Sequence, residues 1–272
     1  MSNFLKRTLT GIAFSAAIVF SLLIDLRLFI LLFFLITLAG MLEFYKLSCL
    51  MDVRPNIVAG LIAGSVLFLS SGLLALGYLK TNDMLLNLIT MTLPIIFEIY
   101  RKSKNPIANI AFTYFGIFYI AAPLALLLFF PNSNFLTHDF YPGILLGFFA
   151  LVWINDSAAY LVGSKFGRTL FFERISPRKT WEGAIAGAVV TLAASYCVSL
   201  LASEPGFHHW LIIAAIVVVF STLGDLFESL IKRSLNVKDS GRMLPGHGGI
   251  LDRFDGILLA APIVFVYLNF AL

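Results

Sequence analysis

Residues 209–255 read HWLIIAAIVVVFSTLGDLFESLIKRSLNVKDSGRMLPGHGGILDRFD. The first half is an apolar run long enough to cross about 30 Å of hydrocarbon as a helix. The second half concentrates charge. From Ser229 onward it holds five cations (Lys232, Arg233, Lys238, Arg242, Arg253), three carboxylates (Asp239, Asp252, Asp255) and His247, in a chain with only 12% charged residues. An apolar segment resumes directly after Asp255, so this charge gathers at one mouth of a membrane bundle. Polar density of that kind is costly beside a bilayer and suggests a site for an anionic, metal-bound substrate.

The same apolar periodicity extends over the whole chain. Its 272 residues are 60% hydrophobic, with a mean hydropathy of +0.94. Apolar runs predict an all-α polytopic integral membrane protein of about nine transmembrane helices, near residues 8–24, 28–47, 56–78, 83–100, 107–130, 142–162, 181–201, 209–231 and 253–271. No polar stretch is long enough for a separate soluble domain. We therefore read 1–272 as one membrane domain, with about five spans in 1–140 and about four, carrying the chemistry, in 141–272. The N-terminus has basic residues before its apolar run, as a signal peptide does, but Ser15-Ala16-Ala17 lies inside that run, and the segment reads as a helix. Cys49 and Cys197 have no disulfide-framework or metal-ligand spacing. Basic residues lie in short interhelical loops without an extended basic face, which argues against nucleic-acid binding.

Orientation follows from the cations. With nine spans, all of the 19 except Arg27 and Lys80 fall on the side bearing the N-terminus. The positive-inside rule makes that side cytoplasmic and places both large basic loops there. Gly60-x-x-x-Gly64 and Gly183-x-x-x-Gly187 allow close helix approach, within the chain or across a dimer.

Asp225, Glu228 and Lys232 recur at spacings of three and four, so they share one helix face. Asp225 is roughly 9 Å below the end of its span at about 1.5 Å per residue. A carboxylate at that depth must face protein, water or a metal. Glu228 is either part of that set or simply the partner of Lys232. Asp252 and Asp255, three apart on the first turn of the last span, either complement the helix dipole or join Asp225 as oxygen ligands for Mg²⁺. The loop Leu244-Pro245-Gly246-His247-Gly248-Gly249 lets backbone N–H groups approach phosphate oxygens. His247 reads as a phosphate donor or proton carrier, or as a residue that orders this loop. Asp156, in Asn155-Asp156-Ser157-Ala158-Ala159-Tyr160, lies at the depth of Asp225. In Ser176-Pro177-Arg178-Lys179-Thr180-Trp181-Glu182-Gly183 the residue types fit a helix start capped by Thr180. Arg178 and Lys179 exceed what capping needs and suit phosphate, although positive-inside bias also accounts for them. Glu43, Glu98 and Asp25 lie near span ends, where interfacial snorkelling suffices.

Residues 229–255 resemble the signature of the phosphatidate cytidylyltransferases, or CDP-diacylglycerol synthases. The shared pattern is Ser-x-apolar-Lys-Arg, four residues, Lys-Asp-x-small, then Leu-Pro-x-His-Gly-Gly-apolar-x-Asp-Arg-apolar-Asp. The segments around Asp156 and at 176–183 are also similar to stretches of that family. The resemblance implies that phosphatidic acid, arriving in the cytoplasmic leaflet, reacts with CTP to give CDP-diacylglycerol and pyrophosphate with Mg²⁺. It implies catalytic roles for Asp225, Lys232, His247, Asp252 and Arg253, and metal ligation by Asp225, Asp252 and Asp255. Substrate contacts would come from Asp156, Arg178, Lys179 and Arg233, with Lys238, Asp239, Gly248 and Gly249. It further implies an inner-membrane homodimer and a second cation, K⁺ being one choice. A secondary transporter of anionic solutes and a CTP-dependent lipid-alcohol kinase are the competing readings. The carboxylates lie toward one mouth, where a transporter would hold them at the midplane.

Overall fold

The computed structural model describes residues 3–131, 141–202, 204–237, 239–241 and 248–272, with only backbone for 3–9. The chain is almost wholly helical and forms two compact units, Met1–Phe129 with Leu235–Phe254, and Phe130–Ser234 with Asp255–Leu272.

In the first unit α1 (Asn3–Ile24) and α2 (Leu26–Ser48) meet at a single residue, Asp25, whose carboxylate caps α2 by accepting from the Arg27 amide at 2.7 Å. The junction between the two helices is thus an N-cap, satisfying an amide that the helix leaves unpaired. α3 (Ile57–Ala75) follows. The next span, Thr81–Arg101, is assembled from a 3-10 turn, α4 (Asn87–Met91) and α5 (Leu93–Arg101). The span Pro106–Phe129 contains α6 (Pro106–Gly116), a π-helical turn at Ile117–Ala121 and α7 (Ala122–Leu126).

Aromatic packing organises this unit. Tyr45 of α2 is fully buried, and its hydroxyl donates to Thr113 O at 2.9 Å. A Cβ on Gly60 or Gly116 would run into its ring, and one on Gly64 would strike Met41. The Gly60-x-x-x-Gly64 pair is filled by side chains of the same unit.

The second unit holds α8 (Gly143–Phe166), α9 (Trp181–Leu201), α10 (Phe207–Ser234) and most of α11 (Leu251–Ala271), whose first four residues belong to the first unit. α8 and α9 pack closely along Gly183 and Gly187. A Cβ on Gly183 would stand 2.7 Å from Ala159 O, and one on Gly187 would stand 2.9 Å from Asn155 Oδ1. Trp210 of α10 is fully buried and donates its indole N–H to Ala202 O at 3.2 Å.

Between α8 and α9 the helical architecture carries one small ribbon. Leu170–Phe172 (β1) and Ser176–Thr180 (β2) pair antiparallel, with Leu170 opposite Thr180 and Phe172 opposite Ser176. The predicted helix start capped by Thr180 is observed, with Ser176–Thr180 preceding it as strand. The helix begins only at Trp181, where Thr180 caps it by accepting from the Gly183 amide at 3.2 Å. A two-stranded ribbon has little stability of its own. This one is held from outside: Glu182 accepts from the Arg168 and Thr169 amides, each at 3.1 Å, and β2 lies against α8, α9 and α10.

Eight helices among the described residues are long and apolar enough to cross a membrane. The ninth, α1, contributes the apolar stretch Thr10–Ile24. Large apolar side chains such as Phe20, Ile99, Phe118, Val189, Leu201 and Phe270 are exposed on these helices. Apolar surface on that scale belongs in lipid, and the protein is a multi-pass membrane protein.

Replacing Gly183 with alanine presses a methyl group against backbone, which cannot swing aside. We expect the variant to lose about 1–3 kcal/mol, read as a lower thermal midpoint in detergent. An unchanged midpoint would show that α8 and α9 do not need this approach.

Candidate active site

In the second unit, α10 carries its polar face in its final third, and the hairpin delivers a cation to it. Lys179, the penultimate residue of β2, places Nζ 2.5 Å from Asp225 Oδ2, with the two side chains 24% and 37% exposed. One turn further along α10, Glu228 and Lys232 form an i,i+4 ion pair, and their side chains are only 3% and 13% exposed. Glu228 thus takes the pairing role that the helical spacing allowed it. Arg233 Nε donates to Ile175 O at 3.3 Å, tying the end of α10 to the hairpin turn.

Asp255 is half-buried and lies within electrostatic reach of Asp225, Glu228 and Asp156. Asp156, exposed on α8, is within reach of Asp225 and Lys179. Gly224 makes the approach of α11 possible: a Cβ there would collide with the Asp255 carbonyl and stand 3.0 Å from Gly256 Cα. The Asp255 carboxylate accepts from the Gly256 amide at 2.6 Å.

Four carboxylates (Asp156, Asp225, Glu228, Asp255) therefore gather around two ion-paired lysines. Carboxylates gathered in excess of their cations, with Glu228 buried and Asp255 half-buried among them, favour the entry of further positive charge. The donors are all hard carboxylate oxygens, which suit Mg²⁺. Among the described residues no three His, Cys, Asp or Glu side chains converge closely enough to hold a metal by themselves. Mg²⁺ commonly takes one or two carboxylates and completes its shell with other oxygen donors and water, which this donor set would suit.

The first unit holds the other predicted residues. Asp252 Oδ2 accepts from the Gly249 amide at 2.8 Å, from Ser240 Oγ at 2.9 Å and from the Ser240 amide at 3.1 Å. Gly248 adopts φ +84, and a Cβ on it would stand 2.6 Å from that same oxygen. Asp252 thus holds the polypeptide on either side of residues 242–247 together. Arg178, Asp239 and Arg253 are exposed. Lys238 and His247 lie outside the described residues.

Two buried acids depart from the snorkelling expectation. Glu98, 4% exposed, accepts from Asn109 Nδ2 at 2.6 Å and Ser103 Oγ at 2.5 Å, while Arg101 pairs with it and donates to Arg54 O. Glu43, 5% exposed, accepts from the Ile250 amide at 3.0 Å, the Leu251 amide at 3.1 Å and the Ser240 hydroxyl. The available signal was its place inside an apolar span, where an ionisable residue carries a functional presumption.

Fold and site together define a polytopic membrane protein with a charged centre set among apolar helices. The chain belongs to the cytidylyltransferase family, whose family model matches residues 5–271. It is 34% identical over 221 residues to the phosphatidate cytidylyltransferase of Rickettsia prowazekii, covering 78% of this chain and 92% of that protein. It is 36% identical over 178 residues to the Haemophilus influenzae enzyme of that name, covering 62% and 60% of the two chains. With the Brucella suis phosphatidate cytidylyltransferase it shares 44% identity over 119 residues, 44% of each chain. The matched stretch thus spans less than two thirds of the Haemophilus and Brucella relatives.

Replacing Lys232 by methionine removes the cation beside the buried Glu228 carboxylate. This should cost about 3 kcal/mol, whereas the double variant Glu228→Gln/Lys232→Met should recover most of it. Detergent unfolding of the three variants checks this. Simple additivity of the single changes would mean that the pair is not coupled.

Proposed function

We propose that this protein transfers the cytidylyl group of CTP to phosphatidic acid, releasing pyrophosphate and forming CDP-diacylglycerol. The observation that carries the reading is the carboxylate-rich cluster around Lys179 and Lys232, in a chain of the cytidylyltransferase family. A phosphate oxygen of the lipid attacks the α-phosphorus of CTP. The bond from that phosphorus to the bridging oxygen breaks, and the electron pair leaves with pyrophosphate. A phosphate oxyanion is already a nucleophile near neutral pH, so no protein nucleophile is required. Both reactants are anions, and the protein's task is to position them and balance their charge.

Lys179 supplies a cation from the hairpin, held in place by Asp225 until a phosphate oxygen competes for it. Lys232 is oriented by Glu228 in the same way. Arg178 and Arg233, exposed beside them, suit the more solvated phosphates. Asp225 and Asp255, with Asp156 nearby, would hold Mg²⁺, which when bound neutralises phosphate charge and polarises the α-phosphorus. Asp252 has the separate task of ordering Gly248 and Gly249, holding the Gly249 amide and the Ser240 backbone in place. The cation bias supports a cytoplasmic opening, where CTP is available.

The test uses detergent-purified protein with phosphatidate, CTP labelled at the α-phosphate, and Mg²⁺. Label should enter the lipid phase in step with pyrophosphate, and chelation should abolish it until Mg²⁺ is restored. Label remaining aqueous as CDP, with a lipid alcohol as acceptor, would identify a kinase instead. Asp225→Asn and Asp255→Asn should each lower kcat about 100-fold or more while the folded protein persists, because either change removes charge from the metal-holding set. Near-normal turnover in either variant would exclude that residue from the set.

A further inference from the structure

Glu43 is separated from the charged stretch by some 200 residues of sequence, yet it makes three hydrogen bonds with it. One oxygen, Oε1, accepts from the Leu251 amide at 3.1 Å and from the Ser240 hydroxyl; the other, Oε2, accepts from the Ile250 amide at 3.0 Å. The amides at the start of a helix have no partner within it. Here a buried carboxylate from α2 supplies acceptors at the start of α11, where the helix dipole also favours negative charge. Ser240 Oγ lies between two acids, reaching Glu43 Oε1 on one side and Asp252 Oδ2 on the other.

The glycines of the stretch follow from the same carboxylate. A Cβ on Gly249 or on Gly241 would overlap the Glu43 carboxylate group. These signature glycines thus make room for a protein acid. Hydrophobic contacts hold the arrangement in register: Phe254 packs edge-on against Phe14 and Phe33, and Gly40 leaves space for Ile250 and Leu251.

We propose that Glu43 is a positioning residue of the active site. Through Ser240 and the amides of Ile250 and Leu251 it sets the geometry of Gly249, Asp252 and Arg253 for the reaction. The kinetic part of this inference rests on the function proposed above.

Glu43→Gln retains size and shape, but both carboxylate oxygens accept from N–H groups, so the amide NH₂ faces a donor whichever way it turns. At matched amounts of folded protein, kcat for label transfer should fall at least about tenfold, with KM for phosphatidate changed less than about threefold. Ser240→Ala should add little to that loss in the Glu43→Gln background, since the two residues act through one network. Glu98→Gln is the control: it disturbs another buried acid of the same unit and should lower thermal stability without lowering kcat. A kcat within about twofold of wild type for Glu43→Gln would overturn the positioning role. Wild-type protein that transfers no label would refute the proposed function while leaving this inference open to a second measurement. Hydrogen exchange at the Gly249–Asp252 amides should accelerate in Glu43→Gln and not in Glu98→Gln. Unchanged exchange there would overturn the role of Glu43 whatever the activity.

Discussion

Wherever these helices carry charge into apolar surroundings, the charge must be met from inside the protein. Lipid offers no hydrogen bonds, and an unmatched carboxylate at such a position costs several kcal/mol. The described acids show several ways of meeting this demand. Asp25 caps a helix, Glu98 takes amide and hydroxyl donors, and Glu228 takes a lysine one turn away. Glu43 takes the amides that begin α11. Asp225 is met by Lys179 at the hairpin. Around Asp156, Asp225, Glu228 and Asp255 four carboxylates gather about two lysines. That imbalance is the feature on which the proposed chemistry rests.

Close packing is the second requirement, and small residues meet it. Gly183 and Gly187 bring α8 against α9, and Gly224 lets the backbone of α11 come to the face of α10 that bears Asp225. In the first unit Gly60 and Gly116 accommodate one buried tyrosine ring, Tyr45. These glycines act through the space they leave, which is why the two charged clusters can be assembled from helices that are otherwise apolar.

Much of this was legible in the chain. The number and placement of spans follow from apolar run length, because the thickness of a bilayer imposes a length on every crossing helix. The shared face of Glu228 and Lys232 follows from the helical repeat, and their pairing was one of its two readings. The concentration of charge in the stretch 229–255 was legible from residue type and spacing, and its use on phosphate stays a proposal. The hairpin was not legible: β2 is five residues long and contains a proline, and its stability comes from Glu182 and the neighbouring helices, not from strand propensity.

The sequence by itself determined a polytopic helical membrane protein with a charged centre near its C-terminal end, because hydrophobic length and helical periodicity are local properties of the chain. Only the tertiary structure decided which charge meets which. That Lys179 reaches Asp225, and that Glu43 closes on Ser240 and the start of α11, depend on contacts between segments tens to hundreds of residues apart. Such pairings are set by how helices pack and where glycines let them touch, and no local pattern encodes them.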